Sequence, residues 1–403
     1  MSAPAGAVRQ LALSSIAVVL GLAPWFSATA VGPAMMAEWH LTGAAAAWLT
    51  MAVQLGFVAG TLVSAAWMLS DRWSAERLAA WSAALAAAST AAIAWWARSG
   101  SSAIALRMIT GAALAGVYPP AMKLAAGWWH AQRGFAIGVL VGALSLGSAA
   151  PHLLRLLVPP GAWRGSLLAA ALSALASAFV FGLLVRPGPY QARSSPLDRH
   201  ALAGILRERA VVLATAGYLG HMWELYAMWS WVLAFWAAIA LASGIAWPLP
   251  AYMAFSALAA GGLGCVVGGW MADRVGRTAL TIGAMVVSGA CALVAGPASH
   301  GPIALVVVVT LLWGFSVVAD SAQFSACVTE LVPAEYAGTA LTLQTSLGFL
   351  LTLVSIRAVP LWVERWGWTY AFMPLAIGPF LGSIAMWRLR RRPEAVRLAG
   401  GAR

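Results

Sequence analysis

Long apolar runs, separated by short connections that contain charged, Pro or Gly residues, follow one another along the chain. The runs are rich in Ala, Leu and Gly and lack the strand-like alternation of an outer-membrane barrel, so they predict helices. A helix of about 20 residues crosses the hydrocarbon core of a bilayer, and most runs reach that length. We therefore predict an all-α membrane protein with twelve transmembrane helices, called spans 1 to 12, at about 11–31, 47–69, 78–97, 103–125, 135–157, 166–185, 210–238, 249–272, 279–297, 303–328, 338–358 and 368–387.

The longest polar stretch lies between spans 6 and 7 and is rich in Pro and Ser, which is typical of a flexible linker. The two halves of the chain also match when one is shifted by about 200 residues, since Asp71 falls on Asp273 and Gly134 falls on Gly338. These features predict two pseudo-symmetric six-helix bundles related by duplication. The predicted domains are the bundles at 1–186 and 210–388, a cytoplasmic linker at 187–209 and a basic cytoplasmic tail at 389–403.

The composition agrees with a bilayer environment. Of the 403 residues, 62% are hydrophobic and 9% are charged, whereas soluble domains carry about 25% charged residues. The net charge of +12 lies in the predicted loops, so no nucleic-acid partner is expected. If the amino terminus is cytoplasmic, six of the 24 Lys and Arg residues fall on the outer side and the other 18 on the cytoplasmic side. Because basic loops stay in the cytoplasm, we predict a multi-pass protein of the cell (inner or plasma) membrane with both termini cytoplasmic.

The basic run near the carboxyl end is the strongest element of this bias: Arg388, Arg390, Arg391 and Arg392. Its predicted role is to fix orientation and to contact anionic lipid head groups, so membrane lipid is an expected partner. Span 1 has no small-residue cleavage site followed by a soluble domain, and we expect it to be retained rather than removed as a signal peptide.

The sequence lacks the features of cofactor or catalytic chemistry. Cys265, Cys291 and Cys327 lie inside apolar runs, which favours a packing role over a disulfide or a thiolate metal site. A G-x-x-x-x-G-K-[ST] phosphate-binding loop is missing, so ATP hydrolysis is not expected to drive the protein. We expect no cofactor, no metal site and no enzymatic activity.

The loop between spans 8 and 9 reads Gly269-Trp-Met-Ala-Asp273-Arg274-Val-Gly276-Arg277 and fits G-x-x-x-D-R-x-G-R in full. It resembles the signature loop of the major facilitator superfamily. A glycine at its start would let spans 8 and 11 approach, the aspartate would accept hydrogen bonds at a helix amino terminus, and the arginines would face lipid phosphates. The equivalent loop of the first half keeps only Asp71-Arg72. The resemblance implies a gating role for Gly269, Asp273, Arg274, Gly276, Arg277, Asp71 and Arg72.

Two further motifs resemble this superfamily. Arg107-x-x-x-Gly111 in span 4 is similar to its arginine pattern there, and Trp128-Trp-His130-Ala-Gln-Arg133-Gly134 is similar to the start of span 5 in organic-anion and nitrate-type members, with His130 in place of the usual proline. Span 5 lacks the G-x-x-x-G-P-x-x-G-G sequence of proton-driven drug antiporters, and spans 2 and 8 lack the arginines of nitrate carriers. The resemblance implies a twelve-helix secondary transporter.

Ionisable side chains inside the predicted spans are candidates for function, because a charge at the bilayer centre costs about 2.5–3.5 kcal/mol on insertion scales. His221 and Glu224 in span 7 are three residues apart, so both can face a central cavity. We interpret them as the site that carries a coupling proton or binds a polar substrate group. The alternative is a structural pair that locks span 7 against a neighbouring helix.

Other polar residues extend the candidate site. Asp320 and Gln323 share a face of span 10, where a packing cluster with nearby serines is an equally good interpretation. Arg107 and Lys123 lie near opposite ends of span 4, where snorkelling to the membrane interfaces is the alternative to substrate binding. Between them, Tyr118 precedes a Pro pair that should kink the helix. The predicted lining is completed by Gln54 in span 2 and Gln344 in span 11.

Together these observations predict a monomeric secondary active transporter that moves a small solute by alternating access between the two bundles, coupled to protons. The cationic residues of span 4 and the start of span 5 favour a small organic anion as the solute. The first alternative is a proton-coupled exporter of hydrophobic compounds or drugs. An intramembrane enzyme or a non-transporting sensor is a different class that the missing catalytic constellations disfavour.

Overall fold

A computed structural model gives the structure of the protein over residues 4–67, 69, 73–129, 133–158, 162–190, 207–245 and 248–402. Within these ranges the chain forms helices joined by short turns, without a β-strand. The prediction of an all-α protein is therefore confirmed.

The helices follow the apolar runs of the sequence. Their bounds are α1 (Ala7–Leu22), α2 (Ser27–Ala30), α3 (Gly32–Trp39), α4 (Gly43–Ala66), α5 (Ala75–Trp96), α6 (Gly100–Leu114), α7 (Tyr118–Trp128), α8 (Arg133–Leu154), α9 (Trp163–Phe179), α10 (Arg209–Ala242), α11 (Leu249–Val275), α12 (Arg277–Ala298), α13 (Ile303–Ala319), α14 (Ser321–Leu331), α15 (Ala334–Ala371) and α16 (Ile377–Arg390). Short 3₁₀ turns occupy Arg155–Leu157, Met373–Ala376 and Pro393–Gly401, and a π-helical turn occupies Val180–Leu184.

Ten segments of the described chain are helices long and apolar enough to cross a membrane. They coincide with predicted spans 2 to 11. Span 1 is divided between α1 and α2, and span 12 runs from the last residues of α15 through a 3₁₀ turn into the 14-residue α16. The count of twelve therefore stays a prediction for the first and last spans, as do the two-bundle division and the linker, of which 191–206 lie outside the described residues.

Two of the interruptions have causes visible in the sequence. Helix α1 ends at Leu22, two residues before Pro24, which has no backbone N–H to continue the helical hydrogen bonds. Span 4 is interrupted between α6 and α7, immediately before Pro119 and Pro120, so the predicted kink is confirmed. A third break, between α13 and α14, falls at Asp320, and no Pro or Gly is adjacent to it in the sequence.

Glycines allow helices of the first and second halves to approach closely. A Cβ atom added to Gly142 on α8 would lie 3.0 Å from the carbonyl oxygen of Gly262 on α11, and the reverse holds as well. One turn earlier, a Cβ on Gly138 would lie 3.4 Å from the carbonyl oxygen of Cys265. The contact at Gly142 is tighter than a Cβ normally makes, so these glycines serve the close packing of α8 against α11.

The three cysteines are buried in α11, α12 and α14. Cys265 Sγ lies 3.2 Å from the carbonyl oxygen of Val318 on the neighbouring α13. Their surroundings agree with the packing role expected from the sequence.

Candidate functional site

Glu224 lies in the middle of α10 with its side chain buried against α12 and α13. Its Oε2 accepts a hydrogen bond of 2.8 Å from the hydroxyl of Ser288 on α12. Its Oε1 accepts one of 2.7 Å from the indole N–H of Trp313 on α13. Glu224 is only 1% exposed. Because both of its hydrogen-bond donors are neutral, these contacts supply no positive charge to balance the carboxylate.

His221, one turn before Glu224 on α10, contacts the break between α13 and α14. Its Nδ1 lies 2.8 Å from Oδ1 of Asp320, and both side chains are 1% exposed. The two atoms are close enough for an ion pair, but their alignment does not satisfy hydrogen-bond geometry. The imidazole also packs beside Tyr218 and Phe324, with ring centroids 6.2 and 5.4 Å away. We call His221, Glu224 and Asp320 the buried acid–histidine cluster.

The expected pairing within span 7 is wrong in one respect. His221 and Glu224 do lie on neighbouring faces of α10, but the carboxylate that His221 contacts is Asp320, and Glu224 is bound by Ser288 and Trp313. All these partners belong to α12 and α13 or the α13–α14 break, so the cluster is enclosed by second-half helices. The spacing of three residues predicts that both side chains share one side of α10. It carries no information about partners on helices far along the chain.

Gln323 belongs to a second polar group at the start of α12. Its side-chain oxygen accepts a hydrogen bond of 2.7 Å from Arg277. Arg277 also donates to both carboxylate oxygens of Glu330 at 2.6–2.9 Å, and its Nη1 lies 3.6 Å from Oδ1 of Asp273. The backbone N–H of Ala399, in the last 3₁₀ turn, donates to the same Glu330 at 3.0 Å. We call these residues the Arg277 network.

This network corrects the expected roles of the signature loop. Arg277 is buried and binds α14, so it does not face lipid phosphates. Arg274 is exposed and stacks on Trp270, with its guanidinium carbon 3.8 Å from the ring centroid. Gly276 adopts φ +90°, which favours glycine and allows the sharp turn between α11 and α12.

The glycines at the end of α11 face helices other than the expected span 11. A Cβ on Gly268 would overlap the carbonyl of Ala319 on α13, and the Cα of Gly269 lies 4.0 Å from the position of a Cβ on Gly138 of α8. The close approach they permit is therefore with spans 10 and 5. Asp71 and Arg72, the first-half counterparts, lie outside the described residues.

Arg107 does not snorkel to an interface, and that interpretation is wrong. Its residue surface is 0% exposed. The guanidinium donates to the carbonyl oxygens of Pro24 at 2.5 Å, of Leu49 at 3.0 Å and of Trp25, and it lies 3.4 Å from the hydroxyl of Ser27. Arg107 therefore fastens the interruption of span 1, between α1 and α2, to α4 and α6.

The other sequence candidates are buried or half-buried. Gln54 is fully buried, and its side-chain oxygen accepts a hydrogen bond from Thr352 on α15, which links α4 to the second half. Gln344 is buried, and neither its side-chain oxygen nor its nitrogen has a hydrogen-bond partner. Tyr118 and Lys123, on α7, are half-buried.

An aromatic cluster joins the two halves of the chain. Trp25 and Phe57 of the first half contact Phe349 of α15 at centroid distances of 5.5 and 4.8 Å, and Tyr226 of α10 lies 5.0 Å from Phe349. The indole N–H of Trp25 is buried without a hydrogen-bond partner. The sequence did not predict this contact, because packing between helices explains most of the tryptophans in the chain.

A buried histidine was also not among the residues that the sequence singled out. His152 on α8 is 0% exposed, and neither of its ring nitrogens has a hydrogen-bond partner. It lies directly after Pro151, near the predicted outer end of span 5. Ionisable groups within apolar runs were the available signal, and His152 lies within such a run.

The helices, their length and the buried ionisable groups define a multi-pass membrane protein of the transporter class. The family description "Major Facilitator Superfamily" matches residues 13–356. The chain belongs to this superfamily of secondary transporters, as the signature loop indicated, and it is not an enzyme. Among curated proteins none matches the sequence.

The fold is also found in solved structures. The chain is similar to "the MFS (major facilitator superfamily) proton:xylose symporter XylE bound to 6-bromo-6-deoxy-D-glucose", with a TM-score of 0.74 over 95% of each chain. The two sequences are 12% identical, so this likeness shows the fold alone.

Proposed function

We propose that this protein is a proton-coupled secondary transporter in which the buried acid–histidine cluster carries the coupling proton. The observation behind the proposal is Glu224, a buried carboxyl group whose two hydrogen-bond donors, Ser288 and Trp313, are neutral. An ionisable group at this depth is costly to bury and is by default a candidate for proton transfer. His221 of α10 and Asp320, which contact each other, add a second place where a proton can bind.

The hydrogen bonds of Glu224 accommodate either protonation state. When the carboxylate is charged, Ser288 and Trp313 both donate to it. When Oε2 takes up a proton, the indole can go on donating to Oε1, while the hydroxyl of Ser288 can accept from Oε2 because a hydroxyl is both donor and acceptor. Ser288 then donates to the carbonyl oxygen of Met285, which already lies 3.3 Å away. Protonation therefore changes the direction of one hydrogen bond without leaving a buried polar atom unpaired.

Buried polar atoms on α4, on α15 and in the interruption between α1 and α2 are the candidates to contact solute. Gln54 Nε2, both polar atoms of Gln344 and the indole N–H of Trp25 are buried without a hydrogen-bond partner in the described part of the chain. Buried polar groups are normally hydrogen-bonded, so a bound solute or water would satisfy these atoms when the halves separate. We propose this region as the solute path, with a small molecule as substrate.

A small organic anion remains the expected substrate class on the similarity of the start of span 5 to organic-anion carriers. Arg107 does not add to that expectation, because backbone carbonyls engage its guanidinium. A proton-coupled exporter of hydrophobic compounds is the second candidate. The aromatic cluster favours it, since Trp25, Phe57, Tyr226 and Phe349 offer apolar ring surface between the halves.

The remaining parts of the proposal concern the setting of the transporter. We propose twelve spans in two six-helix bundles, a location in the cell (inner or plasma) membrane, cytoplasmic termini and a monomer. The support is the bias of Lys and Arg toward one side of the predicted spans and the repeat between the halves.

The test uses the purified protein in liposomes that contain a pH-sensitive dye. Organic anions, sugars and lipophilic dyes are added one at a time, and proton flux and solute counterflow are both recorded. We expect a substrate to move protons with the wild type, whereas Glu224→Gln should keep counterflow and lose proton flux, because the amide cannot titrate. Glu364→Gln, which changes an exposed carboxylate in α15, is the matched control and should behave as wild type.

Unchanged proton flux in Glu224→Gln would remove Glu224 from the coupling role and assign it to Asp320, tested as Asp320→Asn. If neither variant alters proton flux, the proposal of coupling through the cluster is wrong. A substrate that shows counterflow without any proton flux in the wild type would make the protein a uniporter or an exchanger.

A further inference from the structure

An open pocket of about 430 Å³ lies between the start of α10 and the end of α16. Its lining consists of four arginines and two aliphatic residues: Arg209, Val212, Leu213, Arg388, Arg391 and Arg392. The pocket includes the first turn of α10, whereas the buried acid–histidine cluster begins further along that helix at His221, and transport as proposed does not use the pocket.

Among the residues that the structure describes, the acids near the pocket leave most of its charge uncompensated. Arg392 pairs with Glu394 at 3.2 Å, but its Nε is buried without a hydrogen-bond partner. Glu208, next to Arg209 in the chain, is exposed and does not line the pocket. A group with several acceptor oxygens and a negative charge would therefore satisfy both the charge and the unpaired donor.

The part of the pocket formed by Val212 and Leu213 is apolar and partly exposed. Val212 is 49% exposed on the surface of an apolar helix. Arg391 lies over Trp387, with its guanidinium carbon 3.6 Å from the ring centroid, and Trp387 is itself exposed. An exposed tryptophan beside arginines, at the ends of two apolar helices, is typical of the level of lipid head groups.

We propose that this pocket binds the phosphate group of an anionic phospholipid, with the arginines around the head group and Val212 and Leu213 against the first part of an acyl chain. Free phosphate shares the head-group chemistry but has nothing to place against the aliphatic wall, which favours the lipid. The site gives the basic end of the chain a defined ligand as well as a role in orientation.

Native mass spectrometry of the delipidated, full-length protein tests the site. Phosphatidylglycerol and phosphatidylcholine are offered at equal concentration, and the ratio of bound lipids is measured for wild type and for the double variant Arg388→Gln/Arg391→Gln. We expect preference for phosphatidylglycerol to fall about 25-fold in this variant, since each basic residue near an anionic lipid surface contributes a factor of about five. Arg98→Gln/Arg365→Gln, which removes two exposed arginines elsewhere, should keep the preference.

Equal loss in the two double variants, or no loss in either, would overturn the proposal, because the effect would then follow total charge or nothing at all. The variant Arg388→Lys/Arg391→Lys keeps the charge and should keep most of the preference, which separates binding from misfolding. Displacement of phosphatidylglycerol from the wild type by millimolar inorganic phosphate would assign the pocket to the free anion and refute the lipid.

Discussion

Arg107 provides the sharpest test of the structure, because sequence and structure give it different roles. As a substrate-binding residue it would contact solute, whereas in the structure its guanidinium donates to the carbonyl oxygens of Pro24, Trp25 and Leu49. We predict that Arg107→Gln destabilises the protein and that Arg107→Lys has an intermediate effect, since an ammonium group cannot reproduce the planar fork of a guanidinium.

The size of the effect follows from the contacts. A hydrogen bond to a charged donor contributes about 1.5–3 kcal/mol, so three carbonyl contacts amount to about 5–9 kcal/mol. Burying the guanidinium costs several kcal/mol, and glutamine restores one contact, which leaves a net loss of about 3 kcal/mol. With an unfolding entropy of about 2.1 cal/mol/K per residue over the chain, this corresponds to a fall in Tm of roughly 4 °C.

The assay is thermal unfolding of the purified variants followed by tryptophan fluorescence, with Arg98→Gln as the exposed control that should stay within about 1 °C of wild type. Solute counterflow is measured on the same preparations. A variant Arg107→Gln that melts like wild type but has lost affinity for an anionic solute would refute our reasoning and restore Arg107 to the substrate site.

Two further predictions concern ion pairs near the helix ends. Glu330→Gln should lower Tm more than Asp273→Asn, because Arg277 contacts Glu330 at 2.6–2.9 Å and Asp273 only at 3.6 Å; equal losses would show that the signature-loop aspartate matters as much as the α14 carboxylate. Where the end of α3 meets the start of α9, hydrogen bonds from Arg164 and Trp163 hold the pKa of Glu38 below its usual value. A lowered pKa in the folded state stabilises the protein above the unfolded value of about 4.3, and this contribution is lost as pH falls through the folded pKa. The difference in Tm between wild type and Glu38→Gln should therefore be present at neutral pH, small because the pair is exposed, and should vanish in acid; a difference that persists to pH 3 would contradict the assignment.

The length of the apolar runs was sufficient to predict most of the fold. Span 2, predicted at 47–69, is α4 at Gly43–Ala66, and span 7, predicted at 210–238, is α10 at Arg209–Ala242. Bilayer thickness sets this length, so it is written locally in the sequence. The break at Asp320 was not predictable, because a contact with His221 of another helix accompanies it and no Pro or Gly marks it.

Only those features of the site that lie within a single helix were predictable from the sequence. The spacing of His221 and Glu224 predicted that both lie on one side of α10, and both are buried there, while their function stays a prediction. Their partners, Asp320, Ser288 and Trp313, come from segments 64 to 99 residues away, and only tertiary packing selects among the polar residues available. The role of Arg107 was mispredicted for the same reason. The sequence near a helix end does not show whether an arginine reaches water or binds a broken neighbouring helix.

The burial of Cys265, Cys291 and Cys327 has a practical consequence for spectroscopy. Thiol-directed labels require contact with an exposed thiolate, so the native chain should react slowly with maleimide dyes and spin labels. Single cysteines can then be placed on exposed sites in each half, such as Arg98 and Arg365, without first replacing the native ones. Distances between such probes would report directly on how far the two halves move during a transport cycle.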